Sequence, residues 1–129
     1  MPPASTAAVL LVITDLLFRS KIDDVARRAG VPLRVAKTVE QIDRHLGNAV
    51  PAVVLMDLEM DGLDAATVVG RLHARPEAAT VPVIGFAGHT NVEAIHAARA
   101  AGVQVMARSA FVAQLPALID RIAAHNRGD

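Results

Sequence analysis

A short apolar segment that ends in an aspartate constrains the fold of this chain more than any other feature. The segment is Val53-Val54-Leu55-Met56-Asp57, and a loop that contains Gly62 follows it. Apolar runs of this length favour strands that are covered on both faces, as in parallel sheets. A strand of this kind delivers the Asp57 carboxylate to the carboxyl edge of the sheet, where ligands and chemistry collect in open α/β folds.

Apolar strand segments alternate with amphipathic helical patterns five times along the chain. Each helical pattern places apolar residues on one face, as Phe18, Ile22 and Val25 do in the first helix. The alternation predicts an α/β fold with a parallel five-stranded sheet, right-handed crossovers and helices on both faces. The predicted strands span residues 9–13, 32–36, 51–57, 81–87 and 103–107, and the third helix spans residues 63–73.

Capping and proline signals predict where some of the helices begin. Thr38 with Gln41 and Thr90 with Glu93 have the spacing of capping boxes, at the starts of the second and fourth helices. Pro116 is expected in the first turn of the last helix. The length fits a single domain over residues 1–129, with a loose, proline-bearing tail at residues 1–6.

Composition argues against several classes of function. Thirteen basic residues balance thirteen acidic ones, so the chain carries no electrostatic footprint for nucleic acid. Cysteine is absent, which excludes disulfides, thiolate metal sites and thiol catalysis. The longest apolar run, residues 7–13, is too short to span a bilayer and lacks the flanks of a signal peptide. We therefore expect a cytoplasmic protein that binds neither nucleic acid nor membrane.

Three stretches of the sequence resemble the receiver domains of two-component response regulators. The most specific stretch runs from Leu55 to Asp64 and looks like the receiver segment with the phosphoacceptor aspartate at the end of strand three. The stretch from Val81 to His89 resembles the fourth receiver strand, and Ala100-Ala101-Gly102-Val103 resembles the entry into strand five. The resemblance extends over roughly residues 9–123 and implies a flavodoxin-like (βα)5 three-layer sandwich with strand order 2-1-3-4-5.

The receiver resemblance also implies a chemistry. In that family a histidine kinase supplies a phosphoryl group to the aspartate, and the transfer needs Mg²⁺ held by oxygen ligands. By this resemblance Asp57 is the candidate phosphoacceptor. Asp15, Asp57 and the backbone carbonyl of Glu59 are the candidate metal ligands. Because only some of the family's acids are retained, the implied Mg²⁺ site is a weak one.

Several positions depart from the receiver pattern. Thr14 replaces the first of two acids, Ala87 stands where a Ser or Thr hydroxyl is expected, and Met106 replaces the usual aromatic residue. Ser109 stands in place of the usual lysine, which leaves Arg108 as the nearby substitute cation. Because neighbouring residues of a strand point to opposite faces, Arg108 can replace the lysine only where the strand ends early or slips. The resemblance is therefore to an atypical, degenerate receiver.

Each candidate site residue also has a plainer interpretation. Asp57 can be a solvated carboxylate that is inherited with the fold. Asp15 is well placed to cap the helix that follows it. Arg108 can be a structural cation that pairs with whichever carboxylate it reaches. The sequence leaves both interpretations of each residue open.

Three functions are compatible with these residues. The first is a stand-alone, atypical receiver-like signalling protein that acts through protein–protein contact, with phosphorylation absent or non-standard. The second is a phosphoacceptor receiver in a two-component phosphorelay that uses Asp57 and Mg²⁺. The third, a small flavodoxin-like enzyme or ligand-binding domain, is disfavoured because the chain has no phosphate-cradling glycine loop. We therefore expect a non-enzymatic protein.

The expected partner is another protein. In receivers, the face formed by helix four, strand five and helix five meets partners, and the resemblance implies a histidine kinase or a signalling output protein there. The stretch that leads into helix five, residues 110–115, is unusually apolar. Any of it that is left uncovered by the core would serve a partner or a homodimer.

Overall fold

Five parallel strands form one sheet, and the computed structural model describes residues 6–128 of the chain. The strands are β1 (Val9–Val12), β2 (Leu33–Ala36), β3 (Val53–Asp57), β4 (Val83–Ala87) and β5 (Gln104–Ala107). The helices are α1 (Leu16–Arg28), α2 (Val39–Asn48), α3 (Ala65–His73), α4 (Val92–Ala100) and α5 (Arg108–Arg127), with a 3-10 turn at Pro76–Ala78. The strand order β2-β1-β3-β4-β5 confirms the predicted flavodoxin-like topology. Most of the predicted tail, residues 1–5, lies outside the described residues.

Successive strand residues point to opposite faces of the sheet and so contribute to two apolar cores, one on each face. The first core contains Leu10, Val54 and Met56 and packs against α2, α3 and α4. The second contains Leu11 and Leu55 and packs against α1 and α5. β1 and β3 are buried along their whole length. This double burial is the physical reason for their continuous apolar sequences.

The two predicted capping boxes have different outcomes. Thr38 does cap α2, since its Oγ1 accepts a hydrogen bond from the Gln41 backbone N–H at 3.2 Å. The predicted cap at Thr90 is wrong, because α4 begins one residue after Asn91 and the Asn91 Oδ1 accepts from the Ala94 N–H at 3.3 Å. Thr and Asn are both good N-cap residues, so their adjacency made the start of α4 ambiguous by one position.

The last helix begins earlier than the sequence predicted. β5 ends at Ala107 and α5 starts at Arg108, so Pro116 lies inside the helix rather than in its first turn. Pro116 has no N–H to donate to the carbonyl of Val112, and Val112 is 42% exposed. Within residues 6–128, neither α5 nor any other helix is long and apolar enough to cross a membrane.

Candidate functional site

Asp57 is the last residue of β3 and lies at the carboxyl edge of the sheet. It pairs in register with Phe86 of β4, and only 5% of its surface is exposed. Its Oδ1 accepts a hydrogen bond from the Glu59 backbone N–H at 2.9 Å. This bond forms an Asx turn directly after the strand. A fully buried strand and the turn that follows it therefore hold the carboxylate in position.

The Arg108 guanidinium faces this carboxylate. An early end of strand five is the condition under which Arg108 reaches the site, and the structure meets it because β5 ends at Ala107 and α5 begins with Arg108. The Arg108 Nη2 is 3.5 Å from Asp57 Oδ1 and 3.2 Å from Glu59 Oε1. One cation thus contacts two of the carboxylates that β3 and the loop after it provide.

Two aromatic rings lie against the same guanidinium. The Arg108 Cζ is 4.7 Å from the centroid of the Phe18 ring and 5.2 Å from that of the Phe86 ring. Both distances are within the range of cation–π contacts. With Phe111, these are all three phenylalanines of the chain, and their ring centroids are between 4.4 and 6.1 Å apart. Arg108 therefore lies between a pair of carboxylates and the aromatic cluster of the protein.

The Glu59 side chain connects the loop after β3 to the loop after β4. Its Oε1 accepts a hydrogen bond from the Gly88 N–H at 2.7 Å, and its Oε2 accepts one from the Asn91 Nδ2 at 3.3 Å. Sequence reasoning gave Glu59 only a backbone role and did not identify Gly88 or Asn91. The partners lie 29 and 32 residues away from Glu59, so no local pattern could reveal them. The N-cap character of Asn91 was the one available signal.

The other predicted site residues lie around this centre in different roles. Asp15 is the N-cap of α1, and its Oδ1 accepts from the N–H groups of Leu17 at 3.0 Å and Phe18 at 3.1 Å. Ser109 is exposed on the first turn of α5. Ala87 is fully buried at the end of β4. The site therefore has no hydroxyl at the Ala87 position, and the cation that reaches Asp57 comes from Arg108.

Burial and hydrogen bonds shift the pKa values of Asp57 and Glu59 in opposite directions. Burial raises the pKa of Asp57, and the Glu59 N–H and the Arg108 charge reverse only part of that rise. The pKa of Glu59 is lowered, chiefly by the Gly88 N–H and then by Arg108 and Asn91. The folded protein thus favours the ionised form of Glu59. Ionisation of Asp57 is less favourable in the folded protein than in the unfolded chain.

The described residues do not offer a good ligand set for Mg²⁺. This ion prefers octahedral oxygen coordination and keeps several waters, but the Asp15 carboxylate is hydrogen-bonded to the backbone of α1 and a guanidinium faces Asp57 and Glu59. Among residues 6–128, no three or more His, Asp or Glu side chains are grouped to hold a metal ion. The weak Mg²⁺ site stays a prediction, and the position of Arg108 argues against it.

A groove of about 310 Å³ opens between α4 and β5, next to the site. Ala87 and Ala107, which end β4 and β5, form part of its wall, and His89, His96 and Arg99 line it as well. The groove lies on the α4 and β5 part of the face that the sequence resemblance assigned to a partner. The last residues of β4 and β5 thus belong to its wall.

Comparison with known proteins finds similarity at the level of the fold. No protein-family model matches the sequence, and no curated protein matches it. Solved receiver domains do match. The receiver domain of a sensor histidine kinase from Pseudomonas aeruginosa PAO1, solved with a magnesium ion in its active-site cleft, aligns with a TM-score of 0.75 at 19% identity. The alignment covers 93% of this chain and 99% of that one.

Two response regulators show the same likeness. A chemotaxis response regulator of Vibrio cholerae aligns with a TM-score of 0.73 at 17% identity, over 92% of this chain and 99% of its own. A response regulator in red light signalling of R. palustris aligns with a TM-score of 0.68 at 22% identity, over 92% of each chain. The chain therefore has the receiver-domain fold that the sequence resemblance implied.

Proposed function

We propose that this chain is an atypical receiver-like signalling protein that acts by binding a partner protein, without standard phosphorylation of Asp57. The observation that carries the proposal is the ion pair between Asp57 and Arg108, whose atoms Oδ1 and Nη2 are 3.5 Å apart. Asp57 itself is only 5% exposed. A carboxylate in this state already has a cation beside it and little access to a phosphoryl donor. The cytoplasmic location and the absence of enzymatic activity stay predictions that accompany this function.

The residues that would read out a phosphoryl group support the same proposal. A methyl group at Ala87 cannot form the hydrogen bond of a Ser or Thr hydroxyl, and Ser109 replaces a cationic side chain. Arg108 supplies a charge instead, but a planar guanidinium does not substitute for a compact ammonium group. Phosphorylation of Asp57 would therefore lack the groups that convert it into a change of conformation in the receiver family.

The proposed partner surface is the face formed by α4, β5 and α5. Val92 on α4 is 57% exposed and Val112 on α5 is 42% exposed, and apolar groups left in water favour contact with another protein. A histidine kinase, a signalling output protein or a second copy of the chain are the candidate partners. A further exposed apolar residue, Leu17 at 84%, lies on α1, where the sequence predicted no contact surface.

A phosphoacceptor receiver that uses Asp57 and Mg²⁺ is the second candidate. Its support is the position of Asp57 at the carboxyl end of β3 in a receiver fold, with Asp15 close enough for its charge to act on the Asp57 carboxyl group. This candidate requires Arg108 to move away from Asp57 before a metal ion and a donor bind.

Intact-protein mass spectrometry separates the two candidates. The chain is incubated with Mg²⁺ and acetyl phosphate, beside Asp57→Asn and beside a receiver domain that accepts phosphoryl groups from the same donor. We expect the mass of a phosphoryl group on the reference receiver and none on either form of this chain. A phosphoryl adduct on the wild type that is missing from Asp57→Asn would overturn the proposal and establish the second candidate.

A further inference from the structure

We infer that Arg108 is a built-in cation that occupies the place of a divalent metal ion and keeps Mg²⁺ out of the carboxylate pocket. The inference deepens the proposed function, since it names the residue that makes the site independent of the metal. It concerns the exclusion of an ion and is tested without a phosphoryl donor.

The geometry places the guanidinium on the carboxylate of one predicted metal ligand, Asp57, and on the neighbouring Glu59 carboxylate. Arg108 Nη2 contacts Asp57 Oδ1 and Glu59 Oε1 together, and Asp57 Oδ1 also accepts the Glu59 N–H. An Mg²⁺ ion with its ordered waters cannot bind that carboxylate edge while the guanidinium is there. Binding of the metal to Asp57 Oδ1 therefore requires Arg108 to leave.

Displacement of Arg108 is opposed from its other side. The guanidinium lies on the rings of Phe18 and Phe86, and its displacement would lose both cation–π contacts. A divalent cation that entered without displacing Arg108 would meet a positive charge a few ångströms away, which is repulsive at any dielectric constant. The aromatic contacts and the charge of Arg108 therefore both oppose binding of a divalent cation.

The remaining acid of the pocket is also committed elsewhere. Both hydrogen bonds that cap α1 go to Asp15 Oδ1. A metal ion on this oxygen would compete with the two backbone N–H groups that cap α1. Asp57 and Asp15, the two predicted carboxylate ligands, therefore each have one oxygen that is already engaged within the protein.

Mg²⁺ titrations at constant ionic strength test the inference, with the backbone amide signals of residues 57–59 as the readout and Mn²⁺ line broadening as a second one. Arg108→Gln removes the charge and keeps much of the side-chain stem. Arg99→Gln is the matched control, because it removes the same charge from an exposed position on α4. Arg108→Met gives a second charge-free variant whose thioether packs well against aromatic rings.

We expect no saturable shift at residues 57–59 in the wild type and in Arg99→Gln. Folded Arg108→Gln or Arg108→Met should gain saturable shifts there, with an Mg²⁺ affinity at least about tenfold higher, a factor equal to about 1.4 kcal/mol. Saturable binding by the wild type at the affinity of the variants would overturn the inference, and so would folded Arg108 variants that stay silent. Binding by a wild type that still gains no phosphoryl mass would overturn this inference and leave the proposed function standing.

Discussion

The Asp57 carboxylate lies beside the Arg108 guanidinium, yet burial has a larger effect on its pKa than this charge does. Its pKa is raised because the effect of desolvation exceeds that of the Glu59 N–H and of Arg108. Ion pairs in such surroundings lose much of their Coulombic gain to desolvation. The Arg108 side chain is 33% exposed, so solvent screens its charge as well. The pair therefore determines where Arg108 lies more than it stabilises the fold.

The stability of Asp57→Asn relative to the wild type should rise with pH. The folded wild type holds the Asp57 proton at higher pH than the unfolded chain, where the pKa is about 4. The stabilisation that comes from protonated Asp57 is fully present below the pKa of the unfolded chain. It is lost as the pH rises through the higher pKa of the folded protein. The amide of the variant does not ionise, and its oxygen still accepts the Glu59 N–H.

Urea unfolding at several pH values, from about 3 to about 7, measures this difference. Circular dichroism is the suitable signal, because the chain has no Trp or Tyr. A free-energy difference between variant and wild type that is constant or falls with pH would show that Asp57 is not destabilised by burial.

At the scale of elements, the sequence predicts repeating structure well and junctions less well. The five strands and five α-helices were expected from apolar runs, amphipathic patterns and capping signals. The inner strands β1, β3 and β4 gave the clearest apolar runs because they are buried on both faces. The start of α5 was missed because no side chain caps it. The ion pair that this start creates joins residues 51 positions apart. Such a contact depends on how the strands assemble, which no local pattern contains.

Glu59 should control the motion of the α4 entry. Its carboxylate accepts from the Gly88 N–H and from Asn91, so Glu59→Ala releases the loop after β4. We expect hydrogen exchange at the Gly88 amide to speed up about fivefold to tenfold, which is the effect of losing a hydrogen bond with a net contribution near 1 kcal/mol.

Glu93→Ala is the matched control for this experiment. It removes the same charge from an exposed position in the first turn of α4. Exchange at Gly88 should stay at the wild-type rate in this variant. Equal acceleration by both substitutions would mean that general charge effects, and not the Glu59 contacts, protect the amide.

At the scale of the whole molecule, the second core supports the site, and a pair of hydrogen bonds joins the two ends of the described chain. The second core contains all three phenylalanines, so the packing of α1 and α5 also supports the ring faces that Arg108 contacts. Asn126 near the end of α5 then joins the entry of β1, because its Oδ1 accepts from the Ala7 N–H at 2.8 Å and its Nδ2 donates to the Ala7 carbonyl at 2.9 Å. The sequence predicted the layers of the fold but not the hydrogen bonds between Asn126 and Ala7.

Asn126→Ala should lower the free energy of unfolding by about 1–2 kcal/mol, the net contribution of two partly buried hydrogen bonds. Gln114→Ala, an exposed amide on the same helix, should change it little. Urea unfolding of both variants measures the difference. Equal stability of the two variants would mean that solvent replaces the Asn126 bonds without loss.

In the proposed function the Asp57 site keeps one arrangement and does not respond to a phosphoryl group. The backbone amide spectrum of the wild type, recorded with and without Mg²⁺ and beryllium fluoride, a mimic of the phosphoryl group, tests this. We expect the signals of Asp57, Ala87 and α4 to stay in place. Saturable shifts that begin at Asp57, spread to α4 and disappear in Asp57→Asn would contradict it.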